Sequence, residues 1–370
     1  MKGELLKMKK ALIKLPRNRV RRNYLGGAGI DRLHGEPVCV DNDRPEEWLG
    51  SMVEAVNPGM DVIEHEGLIQ VDTDEGKRYL RDMVDGEKEY YLGDCMRKDG
   101  SWQLSFLYKI LDSSMRLHIQ AHPTSGFARS VMGKRYGKLE CYYILRVRED
   151  IEPYIYLGFQ HSPSRKEWKD IIESQDKERM EACFEKIPVK PGEVWYIPGG
   201  MPHAIGEGIT LLEIMEPSDL VVRCEFEREG IIVPEEGRFM GRDIDFCLDI
   251  FDYNEYSKED IVRKCKVSPV VLKDSPEYKE LLLINETFTP CFYVGKIEVM
   301  KDSVISHHGR FTIGLVTRGA CVMEADGCRM ALRQGDSFAI AASVQNYKVD
   351  VEDGAELCMV YPGNDMKMDI

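Results

Sequence analysis

The chain has 370 residues, of which 43% are apolar and 31% charged, an ordinary globular composition that argues against bulk disorder. That length can bury a sizeable core and suggests two or three domains. The formal net charge of -14 argues against nucleic acid as a partner, because a phosphate backbone is repelled by an acidic surface. Anionic metabolites stay open, since a few local cations decide such sites.

Residues 1–23 run against the acidic trend, with Lys7, Lys9, Lys10, Lys14, Arg17, Arg19, Arg21 and Arg22. The apolar run Ala11-Leu12-Ile13, broken by Lys14, is too short for a secretory signal. The expectation is a basic, solvated lead-in. No apolar run approaches the ~18 residues of a membrane span. Eleven scattered cysteines without a Cys-x-x-Cys pair read as reduced, mostly buried thiols of a cytoplasmic protein.

Between residues 24 and 72, short strand-like runs alternate with turns at Gly26-Gly27 and Asn57-Pro58-Gly59. From about 73 to 114 the spacing turns helical over Lys77–Val84 and Trp102–Ile110, with a break at Arg97–Ser101. From Met115 the chain is β-rich, with evident strands at Cys141–Leu145 and Tyr154–Leu157. Ser164 caps a helical interruption over 164–186, whose apolar face is Trp168, Ile171, Ile172, Met180 and Phe184. Strands resume from Glu193 to about Phe226; a short helix follows at Ile244–Phe251, and Ser257-Lys258-Glu259-Asp260 opens another. A second β-rich block covers Leu281–Tyr361, where strand, Gly turn and strand recur at the spacing of a small barrel or sandwich.

Three segments carry chemistry. In His118-Ile119-Gln120-Ala121-His122-Pro123 the strand period of two puts His118, Gln120 and His122 on one face. Gly137-Lys138-Leu139-Glu140 leads a carboxylate into an apolar strand, which is costly unless the charge is paired. The run from Gly192 to Ala204, with Pro198, Gly200 and Pro202 before His203, makes a tight strand–turn–strand corner. Together Gln120, His122, Glu140 and His203 form a mixed nitrogen and oxygen shell. It suits Zn²⁺ and tolerates Mn²⁺, Co²⁺, Ni²⁺ or Fe²⁺. A single anionic ligand and no thiolate leave the ion Lewis-acidic, as in a catalytic site.

These segments resemble the type I mannose-6-phosphate isomerases of the cupin superfamily. Gln120-Ala121-His122-Pro123 is similar to their Gln-x-His-Pro, Gly137–Glu140 to their Gly-Lys-x-Glu, and Val189–Gly206 to their Pro-Gly and Pro-x-Gly-x-x-His-Ala corner. The resemblance covers roughly residues 20–250 well and the C-terminal block in outline. It implies a mainly β fold with helical insertions: two cupin-like β-barrel or jelly-roll domains plus a helical segment. The expected division is a lead-in over 1–23, a metal-binding domain over 24–255, and a metal-free cupin-like domain over 256–370. His307-His308 in the last of these is read as loop rather than site.

By function, the resemblance implies metal-dependent aldose–ketose isomerisation through an enediol(ate), interconverting mannose 6-phosphate and fructose 6-phosphate. Arg223 matches an arginine important for catalysis and Lys138 the lysine beside the metal glutamate. Lys109 matches a lysine associated with the substrate phosphate; otherwise it ends a helix. Arg223 as a guanidinium stabilises enediolate charge, the alternative being an ion pair with Glu225 or Glu213. Two departures stand out. His118 replaces a serine that helps hold the phosphate, and could bind the anion, crowd it out or ligate the metal. Leu25-Gly26-Gly27 replaces Trp-Gly-Gly, while Glu46-Glu47-Trp48 is similar to an early Glu-x-Trp. The competing expectations are an isomerase of another sugar, a sugar-binding cupin without turnover, and a cupin oxidoreductase, which Gln120 in the shell opposes. No membrane or nucleic-acid partner is expected.

Overall fold

A computed structural model describes residues 9–96 and 100–364; Lys7 and the start of the break at Arg97 lie outside the described residues. Two antiparallel barrels make up most of it. In the first, a seven-stranded sheet runs in the order Lys266–Val267, Val194–Ile197, Glu140–Val147, Ile209–Met215, Leu107–Asp112, Glu46–Trp48, Arg19–Val20. It faces a five-stranded sheet ordered Ile187–Pro188, Tyr154–Leu157, His203–Ile205, Gln120–Ala121, Val222–Arg223. Tyr142, Ile144, Leu157, Trp195, Ile205 and Leu211 fill the space between them.

The helical interruption forms as the spacing predicts. Ser164 caps Arg165–Ser174 in a reciprocal capping box with Glu167, and Lys177–Glu181 follows. Trp168, Ile171, Ile172 and Met180 pack with Phe159, Phe184 and Phe251 on the outer side of the five-stranded sheet. Ser257 and Asp260 likewise close a capping box at the start of Lys258–Cys265. That helix buries Ile261 and Cys265 in the first barrel's core, and Lys266–Val267 pairs with Val194–Trp195. The crossover to the second barrel therefore comes after Val267, later than the expected boundary at 255.

Between residues 73 and 114 the expectation is half right. Leu80–Gly86 and Lys88–Leu92 are helices, preceded by the hairpin Gln70–Thr73 and Gly76–Tyr79. The predicted helix at Trp102–Ile110 is instead the strand Leu107–Asp112, central in the seven-stranded sheet. Every residue of it is buried, because Leu111 faces the first barrel's interior while Tyr108 and Ile110 pack toward the second. A strand covered on both faces loses its apolar–polar alternation, so it reads as a run that helix spacing also fits.

The second barrel is a ten-stranded sheet whose main path runs Ser337–Ile340, Thr312–Ala325, Ala355–Pro362, Phe292–Val299, Tyr278–Ile284, Val270–Asp274. Ahead of Ser337–Ile340, at the head of that path, stands Leu12–Leu15, antiparallel to it. This corrects the lead-in: Leu12, Ile13 and Leu15 are buried and only Lys14 points outward, bonded to Asp336 at 2.7 Å. The chain then returns to the first barrel through Arg19–Val20. There Asp112 accepts from the Gly27 and Gly29 amides at 2.7 and 3.0 Å and from Thr210 at 2.7 Å. A Cβ at Gly29 would lie 2.2 Å from the Asp112 carboxylate, so close backbone approach explains the glycine there.

All eleven cysteines are without disulfides, and nine of them are buried. No helix among the described residues is long and apolar enough to cross a membrane.

Candidate metal centre and sugar cavity

The strand His203–Ile205 pairs with Gln120–Ala121 so that His203 lies opposite Gln120, and on the other side Arg223 lies opposite Gln120. Glu140 opens the strand Glu140–Val147 opposite Ile197, at the end of the strand that leads into the Pro198–Pro202 corner. Three residues thus converge, His203 and Glu140 from separate strands and His122 from just after Gln120–Ala121. The ligand atoms of His122, Glu140 and His203 lie within 4.8 Å of one another and all three residues are buried. Glu140 Oε1 is 3.1 Å from His122 Nε2, and Oε2 is 3.5 Å from His203 Nε2.

Their surroundings fix the geometry. His122 Nδ1 contacts the Leu220 carbonyl at 2.8 Å and His203 Nδ1 the Met201 carbonyl at 2.9 Å. A carbonyl can only accept, so both rings carry their proton on Nδ1 and turn an Nε2 lone pair toward Glu140. Tyr142 donates to Glu140 Oε2 at 2.5 Å. The two ligand-bearing turns are clamped by Glu216, which accepts from Ser125 Oγ at 2.8 Å and from the Leu139 amide at 3.3 Å. Gly137 passes so close to the turn after His122 that a Cβ would stand 2.4 Å from the Pro123 carbonyl, which accounts for the glycine of Gly-Lys-x-Glu.

The residues fit a divalent cation. Glu140 Oε1 and His203 Nε2 are buried without a hydrogen bond of acceptable geometry, an expensive arrangement that a cation would satisfy. The Lys138 ammonium sits against these lone pairs, 2.7 Å from Glu140 Oε1 and 3.3 Å from His122 Nε2. Burial would raise the Glu140 carboxyl, but Lys138 and His122 outweigh it and hold it well below the usual carboxylate range. Burial and the Lys138 charge push His122 down to about 3; a neutral imidazole is the form that ligates.

On the far side of Lys138 opens a cavity of about 270 Å³ lined by Gln120, His118, Lys138, Lys109, Arg223 and, unpredicted as site residues, Arg22, Tyr24, Glu46, Trp48 and Glu213. Of the three residues expected on one strand face, His118 and Gln120 line the cavity while His122 belongs to the group with Glu140 and His203; only Gln120–Ala121 has regular pairing. His118 does not join the metal-binding group. Its Nε2 is buried with no partner, and burial lowers its pKa to about 4 despite a hydrogen bond to the Ile231 backbone.

Lys109 stands mid-strand rather than at a helix end. It is buried, 2.6 Å from Glu213 and 3.4 Å from Glu46. Glu46 gathers four donors: Tyr24 OH at 2.7 Å, Trp48 Nε1 at 2.7 Å, Arg22 Nε at 3.3 Å and Lys109 Nζ at 3.4 Å. Burial alone would raise it, but Arg22 and Lys109 bring it down to about 2. Glu213 goes the other way: burial and the Glu140 charge lift it to about 8 against the pull of Lys109.

Arg223 does not pair with the carboxylates considered for it. Glu225 is taken by Arg116, at 2.9 Å, and by Arg228, and Glu213 by Lys109. Arg223 donates instead to the Gly237 carbonyl at 2.5 Å; burial and the nearby Arg22 charge lower it to about 10, so it remains cationic at neutral pH. The signal that could have found Glu46 was present, since Glu46 and Trp48 share a strand face. Arg22 was hidden among the basic residues of the lead-in.

No protein-family model matches the chain. It is 28% identical over 253 residues to the mannose-6-phosphate isomerase of Streptococcus mutans, covering 66% of this chain and 70% of that one. The Bacillus subtilis mannose-6-phosphate isomerase ManA is 23% identical over 247 residues, 66% of this chain and 71% of that one. Among solved structures, the mannose 6-phosphate isomerase of Bacillus subtilis superposes with a TM-score of 0.69 at 20% identity, covering 95% of this chain and all of that one. A mannose 6-phosphate isomerase bound with zinc and yttrium gives 0.68 at 18% identity, over 96% of this chain and all of that one. At those identities the structural likeness speaks to the fold, so both barrels are the expected cupin-like pair.

Proposed function

We propose that the chain interconverts mannose 6-phosphate and fructose 6-phosphate as a metal-dependent isomerase. The observation that carries this reading is the convergence of the buried His122, Glu140 and His203 against Lys138, which with Gln120 lines a cavity rimmed by cations. Gln120, opposite both His203 and Arg223 in the strand register, completes the proposed ligand set. A divalent ion held there, Zn²⁺ by donor type and by the relative bound with zinc, supplies Lewis acidity toward the sugar oxygens at C1 and C2.

The chain's own residues then divide the remaining work. Arg223 keeps its charge beside Gln120, where it stabilises the enediolate that forms when a proton leaves C2 or C1. Lys138 presents a flexible ammonium between the ligands and the cavity, positioned to donate to a sugar hydroxyl. Tyr142 and the Leu220 and Met201 carbonyls hold the ligand side chains in orientation. The reduced, buried cysteines fit a cytoplasmic setting.

The test is metal analysis of the purified protein followed by an isomerisation assay with mannose 6-phosphate and with free aldoses. About one divalent ion per chain and turnover of the phosphorylated aldose are expected. Metal-replete protein that isomerises none of them would overturn the proposal, and turnover of free aldoses alone would reassign the substrate.

A further inference from the structure

Resting on the reading above, the charge pattern of the cavity assigns the substrate's phosphate to a residue outside the family motifs. Four cations line it: Lys109, Lys138, Arg22 and Arg223. Lys138 is held by Glu140 at 2.7 Å and Lys109 by Glu213 at 2.6 Å. The third buried carboxylate, Glu46, is shared between Lys109 and Arg22. Glu46 is thus shared by two cations and Arg223 has no carboxylate of its own among the described residues, so the uncompensated positive charge falls on the wall formed by Arg22 and Arg223. Glu54 and Asp219 also line the cavity, but both are exposed and Glu54 is engaged with His65 at 3.2 Å.

The two arginines line the same cavity and the same recess, and no carboxylate forms an ion pair with Arg223 among the described residues. Like charges held side by side call for an anion between them. Arg223 pairs in register with Gln120 and so belongs to the reacting end. Arg22 has no such pairing, and with Arg223 it lines a recess beside Asn23, Asn57, Pro58 and Pro234. It is also pre-organised: Nε is 3.3 Å from Glu46, Nη1 donates to Asn57 Oδ1 at 3.0 Å, and the guanidinium lies 5.9 Å from the Trp48 ring centroid. Among the described residues no partner takes up Nη2.

His118, in the place of the family's phosphate-binding serine, cannot do this job. Its Nε2 has no partner, so the bond to the Ile231 backbone is made by Nδ1, whose proton the carbonyl accepts. What His118 turns to the cavity is a lone pair, which takes a sugar hydroxyl and repels a phosphate oxygen.

We propose that Arg22 is the residue that reads the phosphate monoester of the substrate, with Arg223 behind it. Arg22→Gln should raise the KM for mannose 6-phosphate about ten-fold or more, the loss of one charge-assisted hydrogen-bonding partner. The kcat should stay within about three-fold, and kcat/KM for free mannose should not change. Arg22→Lys should recover part of the loss, and it guards against a folding defect in the glutamine variant. Equal losses with both sugars, or an unmoved KM, overturn the assignment. Calorimetric titration with mannose 6-phosphate and with mannose separates this from the parent reading, because it needs no turnover. If the wild-type protein isomerises neither sugar, the parent reading fails, while selective weakening of mannose 6-phosphate binding in Arg22→Gln still supports Arg22 and equal binding rejects it.

Discussion

The two barrels place different chemistry at the same topological point. In the first, Gly192-Glu193 leads into a strand whose Ile197 pairs with Glu140. In the second, Gly335-Asp336 leads into a strand whose Ile340 pairs with Thr312. Thr312 thus stands where Glu140 stands. His307 follows the strand Ser303–Ser306 as His122 follows Gln120–Ala121. The parallel extends to the hydrogen bonds: His307 Nδ1 contacts the Val344 carbonyl at 3.0 Å and Nε2 contacts Thr312 Oγ1 at 3.0 Å.

The second barrel keeps one imidazole in the same attitude but sets its Nε2 against a hydroxyl, which also bonds the Arg310 carbonyl at 2.9 Å, where the first barrel has a carboxylate. Only about 10 Å³ of free space remains around it. One carboxylate in place of a hydroxyl, with a second histidine at the corner, separates a site from a satisfied core. His307 sits in the loop the sequence predicts, yet its ring has a structural duty there.

The largest effect that tests this contrast is in the first barrel. Glu140→Gln should leave less than about a tenth of an ion per chain and cut turnover by roughly a thousand-fold or more. The paired variant Thr312→Val should leave metal content and turnover as they are. If metal analysis shows Thr312→Val losing the ion, the ligand assignment is wrong.

Next in size is Ile13→Asp, which buries a carboxylate in the strand that completes the second barrel. A loss of about 3–5 kcal/mol is expected in denaturant melts; an unchanged midpoint would mean that the strand is not docked in solution.

A pH effect follows for His307, held down to about 4 chiefly by burial. Its folded pKa lies below the unfolded value near 6.5, so between those values the unfolded chain binds more protons. Its contribution is present above pH 6.5 and lost as pH falls toward 4, up to roughly 3 kcal/mol before solvent screening at its half-buried edge reduces it. His307→Asn should flatten the stability profile over that window. The smallest effect is the stability cost of Thr312→Val, about 1 kcal/mol for the lost hydrogen bond; thermal melts that show no shift would remove the hydroxyl from the comparison.

Much of the candidate metal centre was legible because its residues come in short motifs whose order survives without structure. The spacing of Gly192, Pro198, Gly200 and His203 encodes one corner, and strand alternation alone puts His118, Gln120 and His122 on a shared face. The charged wall was not legible in the same way. Arg22, Glu46, Lys109 and Glu213 meet only through the register of the seven-stranded sheet, and each alone looks like a solvated charge. The N-terminal strand was missed for a related reason. Lys14 and its partner Asp336 are 322 residues apart in sequence, beyond the reach of any local pattern. Leu107–Asp112 was misread because burial on both faces erased its period.

That N-terminal strand also sets an order of events during synthesis. Leu12–Leu15 leaves the ribosome early, but Ser337–Ile340, the strand it pairs with, is made near the end. Until then three buried apolar side chains have no sheet to join and must wait exposed. The second barrel therefore closes only after nearly the whole chain has emerged, and its last-formed seam carries one of the longest sequence separations in the fold. Folding of this protein is better pictured as a clasp fastened at the end than as two beads formed in turn.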